Sequence, residues 1–513
     1  MTVKATSYGL FVDWNNDDDY DDAGEDLSGV LIEASVGCGF NDAIARMASV
    51  GRATFVLNNT TKALSPPLEA TVLPRRKVKF QMTYGGSTVV LFQGLTDSIA
   101  PSPGIYGDRR VVLECVDDMA RLDEFEGPIA IQTNVRADAI ITAVVAAVYT
   151  PTGTDYDAGI NLFPFAADRW SGEANSGMTT MGMGMGGALR QTVRASDKIL
   201  AACTADWGLF FFAKDGTPTY RNRHSISLDS SAELTLDNTL TTMSYRKSTG
   251  PVYNYIEVTC CPRTVGETYE VLGRMTQGTA PMIEASSASV FTLDFRDPTN
   301  NAVQMGGKSP ITPAATTDYT CTSDEAGEGN DETANVTPTM TAYGDRADVT
   351  LTNDVARPVY VQSLQVRGYA VRTFEPVTVR ASDDTSITAY GKRKLPIDGA
   401  LMSSTVQAHA LAAHLLAYYK DPQDEVRGLM FFANNSDTLM QAARDLKLCD
   451  RVVVSEDQTG LSSYAGYITS MTHHIHDGTI HSVTLDLATA YSIGGDPLTW
   501  DSSVWGGTDV WVY

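Results

Sequence analysis

The chain has 513 residues, 43% of them hydrophobic and 19% charged, and its 62 acidic and 38 basic side chains leave a formal net charge of −24. That length suffices for three or four domains that each bury a core, so stability need not depend on disulfides or metals. No stretch reaches the roughly 20 apolar residues that span a bilayer, and the charge excludes an outer surface that grips nucleic acid, because neutralising phosphates takes clustered Lys and Arg.

The opening residues Met1 to Gly9 lack the basic start, apolar run and small-residue cleavage site of a secretory signal, so assembly in the cytoplasm is expected. The acidic run that follows places Asp13, Asn15, Asp17 and Asp19 at alternate positions, as a calcium loop would. It departs from the EF-hand pattern at Asp18, which takes the glycine position, and at Gly24, where the closing acid should stand. A solvated acidic turn between two strands is the alternative.

Short alternating segments then dominate, such as Ala53 to Leu57, Val78 to Met82 and Val111 to Cys115, separated by turns such as Tyr84-Gly85-Gly86-Ser87. They predict a mainly β protein with a few helices. Three helices are expected: Arg136 to Tyr149 with Asn134 as cap, Ser196 to Thr204, and Ser404 to Tyr419, ending before Asp421-Pro422. Two segments read as loops. Ser171 to Gly187 ends in alternating Met and Gly from Met181, an adaptable apolar stretch, and Pro310 to Asn335 reads as an exposed insertion rich in Thr, Asp, Glu and Gly. The predicted domains are a β-barrel module over 1–130, an α+β domain over 131–225, a β domain over 226–400, a second β-barrel module with its preceding helix over 401–490, and a docking tail over 491–513.

The seven cysteines are scattered without C-x-x-C spacing, which predicts reduced, buried thiols. Four of the seven histidines, His473, His474, His476 and His481, fall close together, and in a hairpin around Asp477-Gly478 the side chains of His474 and His476 would share a face and could hold a metal. Polar histidines on an exposed strand are the alternative. There is no H-E-x-x-H, G-x-S-x-G, P-loop or Rossmann pattern, and no catalytic residue is nominated.

The strongest internal signal is a repeat. Phe92-Gln93-Gly94-Leu95-Thr96-Asp97-Ser98-Ile99 aligns without gaps on Tyr464-Ala465-Gly466-Tyr467-Ile468-Thr469-Ser470-Met471, and nineteen residues beyond each glycine lie Leu113 and Leu485. Upstream, Arg76 to Phe80 resembles Asp450 to Val454 with a shift of two; the alternative is that any two amphipathic hairpins look alike. The same β-module near both ends lets three chains present six similar units around an axis, which matches a sixfold tube to a threefold tip.

Several stretches resemble the hub and minor tail proteins at the tail tip of long-tailed bacteriophages: Phe11 to Asp17, Gly51 to Asn59, Phe92 to Ile99, Asp215 to Arg223, Val252 to Val258, Cys449 to Val452 and Trp505 to Gly507. The resemblance implies tail-tube-like β-barrel modules, a homotrimer in the virion without enzymatic activity or a required cofactor, and contacts with the distal tail protein, the tape-measure protein and tail fibre or tip proteins. DNA would only pass through its channel, whose acidic wall would not stall phosphates. The Met-Gly segment would touch the tape measure or, transiently, the host envelope, with ordinary loop packing in the intact tail as the alternative, and Asp496 to Tyr513 would dock on a neighbouring subunit. The rival readings are a carbohydrate-binding adhesin using exposed tryptophans and a cell-wall hydrolase using an acidic pair.

Overall fold

The computed structural model describes residues 6–42, 44–103, 109–126, 132–160, 163–166, 194–228, 231–276, 278–301, 303, 305–399 and 401–490. The Met-Gly run at 181–187 and the tail from 496 lie outside the described residues. The described chain is mainly β, as its alternation predicts.

Twelve strands make one large sheet. In chain order they are β1 (Thr6–Asp13), β2 (Leu31–Gly39), β3 (Arg52–Asn58), β4 (Lys77–Tyr84), β5 (Ser87–Ser102), β6 (Arg110–Val116), β7 (Leu234–Asp237), β8 (Thr242–Lys247), β9 (Asp424–Phe432), β10 (Arg451–Glu456), β11 (Leu461–His476) and β12 (Ile480–Thr489). Period-two burial explains them: Val78, Phe80, Met82 and Tyr84 point inward along β4, as Val452 and Val454 do along β10. The spatial order is β1-β4-β5-β6-β3-β2 for the first six and β7-β10-β11-β12-β9-β8 for the last six, joined where β2 pairs with β11. Each strand of the second module therefore occupies the place of the strand six earlier. One pairing differs, since β1 runs antiparallel to β4 and β7 runs parallel to β10. Among the described residues the path does not close into a barrel.

The likeness extends to register. Gly94 lies opposite Val78 and Gly466 opposite Val452. Leu95, Thr96, Ser98 and Ile99 face Val116, Cys115, Glu114 and Leu113, with Asp97 bulged out. Residues 372 positions later repeat this, Tyr467, Ile468, Ser470 and Met471 facing Ala488, Leu487, Asp486 and Leu485 with Thr469 as the bulge. The shared aromatic and glycine have a physical cause. A Cβ on Gly94 would lie 2.2 Å from the Val116 carbonyl oxygen and 2.9 Å from the Phe92 ring, and one on Gly466 would lie 3.0 Å from both the Ala488 oxygen and the Tyr464 ring. The aromatic ring two residues earlier covers the glycine on the same face.

The modules differ in what interrupts them. Between β8 and β9 the chain inserts a small sheet (255–260, 377–382 and 394–399) against the helix Thr405–Tyr419, and a β domain built on the long strand Val359–Thr373. That domain has its own core, including Leu272, Phe295, Tyr319, Val349 and Val361, whereas a single larger core runs through both modules and the helices between them. The expected helices are found at Ala137–Val148, Ala195–Asp206 and Thr405–Tyr419. The first begins after Arg136 with no side-chain cap, in place of the expected Asn134. Ser404 does cap its helix, accepting from the Val406 amide at 3.2 Å.

The segment 310–335 is more deeply built in than an exposed insertion. Asp318 and Glu332 are buried, Tyr319–Thr322 pairs with the long strand, and bidentate contacts from Arg367 to Asp318 (2.6 and 2.9 Å) and Arg357 to Glu332 (2.8 Å) neutralise the acids. All seven cysteines are free, five of them buried, in keeping with the expectation of reduced thiols.

Candidate assembly surface

The join between the modules is a seven-residue antiparallel ladder from Glu33 opposite His476 to Gly39 opposite Ser470. Beyond it the Phe40 amide donates to the Thr469 carbonyl at 2.8 Å. Gly39 allows this approach, because a Cβ there would lie 2.6 Å from Ser470 Cα. Long β11 serves both neighbours, its first half pairing with β10 and its second with β2.

The equivalence of the modules identifies two edges that lack this partner. The counterpart of β2 is β8, which pairs with β9 on one side only among the described residues. Thr242 lies opposite Met430 as Glu33 lies opposite Val56, and Tyr245 opposite Val426 as Val36 lies opposite Ala53. The counterpart of the second half of β11 is the second half of β5, which among the described residues pairs with β6 alone. From Ala100 to Ser102 and along Ser244 to Lys247 these edges are exposed.

The two edges differ chemically. Alternation from the Phe40–Thr469 contact turns positions 471, 473 and 475 of β11 towards β2, and their counterparts on β5 are Ile99, Pro101 and Pro103. Two of those three have no N–H. Two β5 edges therefore cannot form a ladder with one another, while an edge that brings donors, as β8 does, still meets their carbonyls.

The four clustered histidines divide between the two faces of the β11–β12 hairpin. His473 and His481 point inward, 3.0 Å apart from Nδ1 to Nε2, and the Tyr8 hydroxyl stands 3.0 Å from His481 Nδ1. Burial, with the Lys214 ammonium nearby, pushes His481 down to about 3 and His473 well below the usual range. Lys214 donates to the carbonyls of Arg444 (3.1 Å) and Ala443 (3.5 Å), at the end of the helix Asp437–Asp445. His474 and His476 lie on the other face beside Glu33, which local spacing could not reveal because the strands meet only in the fold.

The acidic run is organised around Asp13. That side chain is buried and accepts the amides of Asn16, Asp17 (3.2 Å) and Asp18 (3.1 Å), while buried Glu25 accepts the Trp14 amide at 3.0 Å. Asn15, Asp17 and Asp19 are exposed, and Asn15 donates to Asp17 at 2.7 Å. Asp18 pairs with Lys77. Asn15 and Asp17 are in contact, the oxygens of Asp13 are engaged by the loop's own amides, and the carboxylates of Asp13, Asp17 and Asp19 do not converge as a metal-holding group among the described residues.

No family model and no curated protein matches this sequence. Among solved structures the chain is similar to a 43 kDa tail protein of prophage MuSo2 from Shewanella oneidensis, with 9% identity over 94% of this chain and 98% of that one and a TM-score of 0.47. It is also similar to a tail protein from Neisseria meningitidis MC58, with 8% identity, coverage of 94% and 96%, and a TM-score of 0.49. Prophage tail protein gp18 from Listeria monocytogenes EGD-e is a third, with 8% identity, coverage of 94% of each chain and a TM-score of 0.38.

Proposed function

We propose that the chain is a virion structural protein, a hub at the tip of a bacteriophage tail, whose work is association and not catalysis. The observation that carries this is the pair of edges that are unmatched among the described residues. The β2–β11 seam is used once inside the chain, and the second module offers β8 where the first offered β2, while the first module offers β5 where the second offered β11. Pairing β8 of one chain with β5 of the next would set the strands in the register of the seam, with β8 amides donating to β5 carbonyls although Pro101 and Pro103 return no N–H, and would carry the sheet from chain to chain. Such a head-to-tail interface generates a ring when its rotation closes. Three chains would then place six modules around an axis, in keeping with the tail-hub resemblance of the sequence.

In this reading the ring surrounds the path of the DNA, meets the distal tail and tape-measure proteins on one side and fibre or tip proteins on the other, and carries its acidic charge without binding the nucleic acid. Native mass spectrometry with negative-stain imaging tests it. A trimeric ring with a central channel is expected, and a chain that stays monomeric with the adjoining tail proteins present contradicts it.

A further inference from the structure

We propose that Glu33, His474 and His476 form a binding site for one divalent transition-metal cation of the zinc, cobalt or nickel class, clamping the seam between the two modules. Glu33 is on β2 and lies directly opposite His476, and His474 is two residues earlier on β11, so all three side chains leave the same face of the sheet. Their ligand atoms lie within 4.8 Å of one another. His474 Nε2 is 3.2 Å from Glu33 Oε1, His476 Nδ1 is 3.9 Å from that oxygen, and the two rings are near parallel at 18°.

Metal–nitrogen and metal–oxygen bonds of about 2.0–2.2 Å set tetrahedral ligands about 3.3 Å apart. The Glu33–His474 separation already satisfies this, and His476, whose side chain is 52% exposed, has the rotational freedom to close the remainder. Two imidazoles and one carboxylate suit a borderline divalent cation better than calcium or magnesium, which prefer oxygen alone.

A separate observation points the same way. If His476 binds through the Nδ1 that faces Glu33, its other nitrogen faces Asp477, where Nε2 lies 3.5 Å from Oδ2. A carboxylate behind a ligating imidazole fixes the ring and raises its basicity. Three ligands leave one position for water or a further group.

The site also separates the seam inside the chain from the one proposed between chains. In the equivalent places the first module carries Ser102 for His474, and β8 carries Thr242 for Glu33. The cation would therefore clamp the two modules of each chain without joining one chain to the next, and the site does not depend on ring assembly.

The test is titration of tag-free, chelator-treated full-length protein with Co2+, following visible absorbance and calorimetry, then with Zn2+ as competitor. One Co2+ per chain, displaced by Zn2+ and raising Tm, is expected. Glu33→Gln and His474→Ala should each weaken binding at least tenfold, while His409→Ala, at an exposed helix position, should leave it unchanged. All three side chains are at least partly exposed, and circular dichroism checks the fold. Absence of stoichiometric binding to the wild-type chain, or binding that survives the Glu33→Gln and His474→Ala double change, overturns the proposal.

Discussion

The two six-strand modules share strand order and the register and bulge of β5 and β11, yet they solve the same packing problem to different tolerances. At Gly94 the neighbouring backbone comes so close that no Cβ fits, whereas at Gly466 the same approach is looser by 0.8 Å at the carbonyl, from 2.2 to 3.0 Å. The first module is interrupted only by short connections, while the second accommodates everything between β8 and β9. What the modules keep in common is the β4–β5–β6 arrangement and its counterpart β10–β11–β12. What differs is the direction of the β1–β4 and β7–β10 pairings and the edges, where β2 and β11 are matched and, among the described residues, β8 and β5 are not. Conserving register while freeing the edges is what a repeated unit needs if it is to pair with copies of itself.

The largest expected effect separates the two glycines. Gly94→Ala forces a backbone shift and should cost about 3 kcal/mol in denaturant unfolding, against about 1 kcal/mol for Gly466→Ala. Equal costs would show that the modules are packed alike. A second contrast is in acid. Because the buried rings of His473 and His481 resist protonation, the folded chain binds fewer protons than the unfolded chain once the pH drops below about 6.5. Stability should therefore be unaffected by them at neutral pH and fall as the pH drops below about 6.5, for His481 down to about pH 3, by up to about 1.4 kcal/mol per pH unit for each ring. His473→Phe should flatten that slope, and an unchanged slope would assign the acid sensitivity elsewhere. The smallest effect belongs to the acidic loop. With Asp13 already serving three amides, we propose that any calcium bound by Asp13, Asn15, Asp17 and Asp19 is held weakly, in about the millimolar range. Micromolar binding abolished by Asp17→Asn would instead give the loop a dedicated calcium role.

Local pattern made much of this legible. Alternation gave the strands, and the Phe92–Gly94 and Tyr464–Gly466 likeness gave the repeat, because an aromatic ring covering a close-packed glycine leaves a compact signature. It could not say that the two copies join in one sheet, since the pairing of β2 with β11 links residues more than 400 positions apart. For the same reason His474 and His476 could be placed on one face while Glu33 went unnoticed. The burial of Asp318 and Glu332 within the segment read as an exposed insertion was not legible, because their neutralising partners, Arg367 and Arg357, lie on a distant stretch of chain. The short helices Met119–Glu124 and Asp384–Tyr390 were missed because about two turns carry little periodicity, whereas Asp437–Asp445 was missed although Ser436 caps it and Leu439, Met440, Ala442 and Ala443 form its buried face.

The most direct test of the central claim is a cross-link at the edges that stay unmatched within a chain. Ser244 and Ser102 hold the places of Ser35 and His474, which face each other across the β2–β11 seam. The seam alternation makes that pair one without direct hydrogen bonds, where Cα atoms come to about 4.5 Å, close enough for a disulfide. Ser102→Cys and Ser244→Cys in one chain, mildly oxidised with wild-type protein as control, should give a covalently closed trimer. Cross-linking confined to dimers, or none in protein that has assembled, would contradict the account.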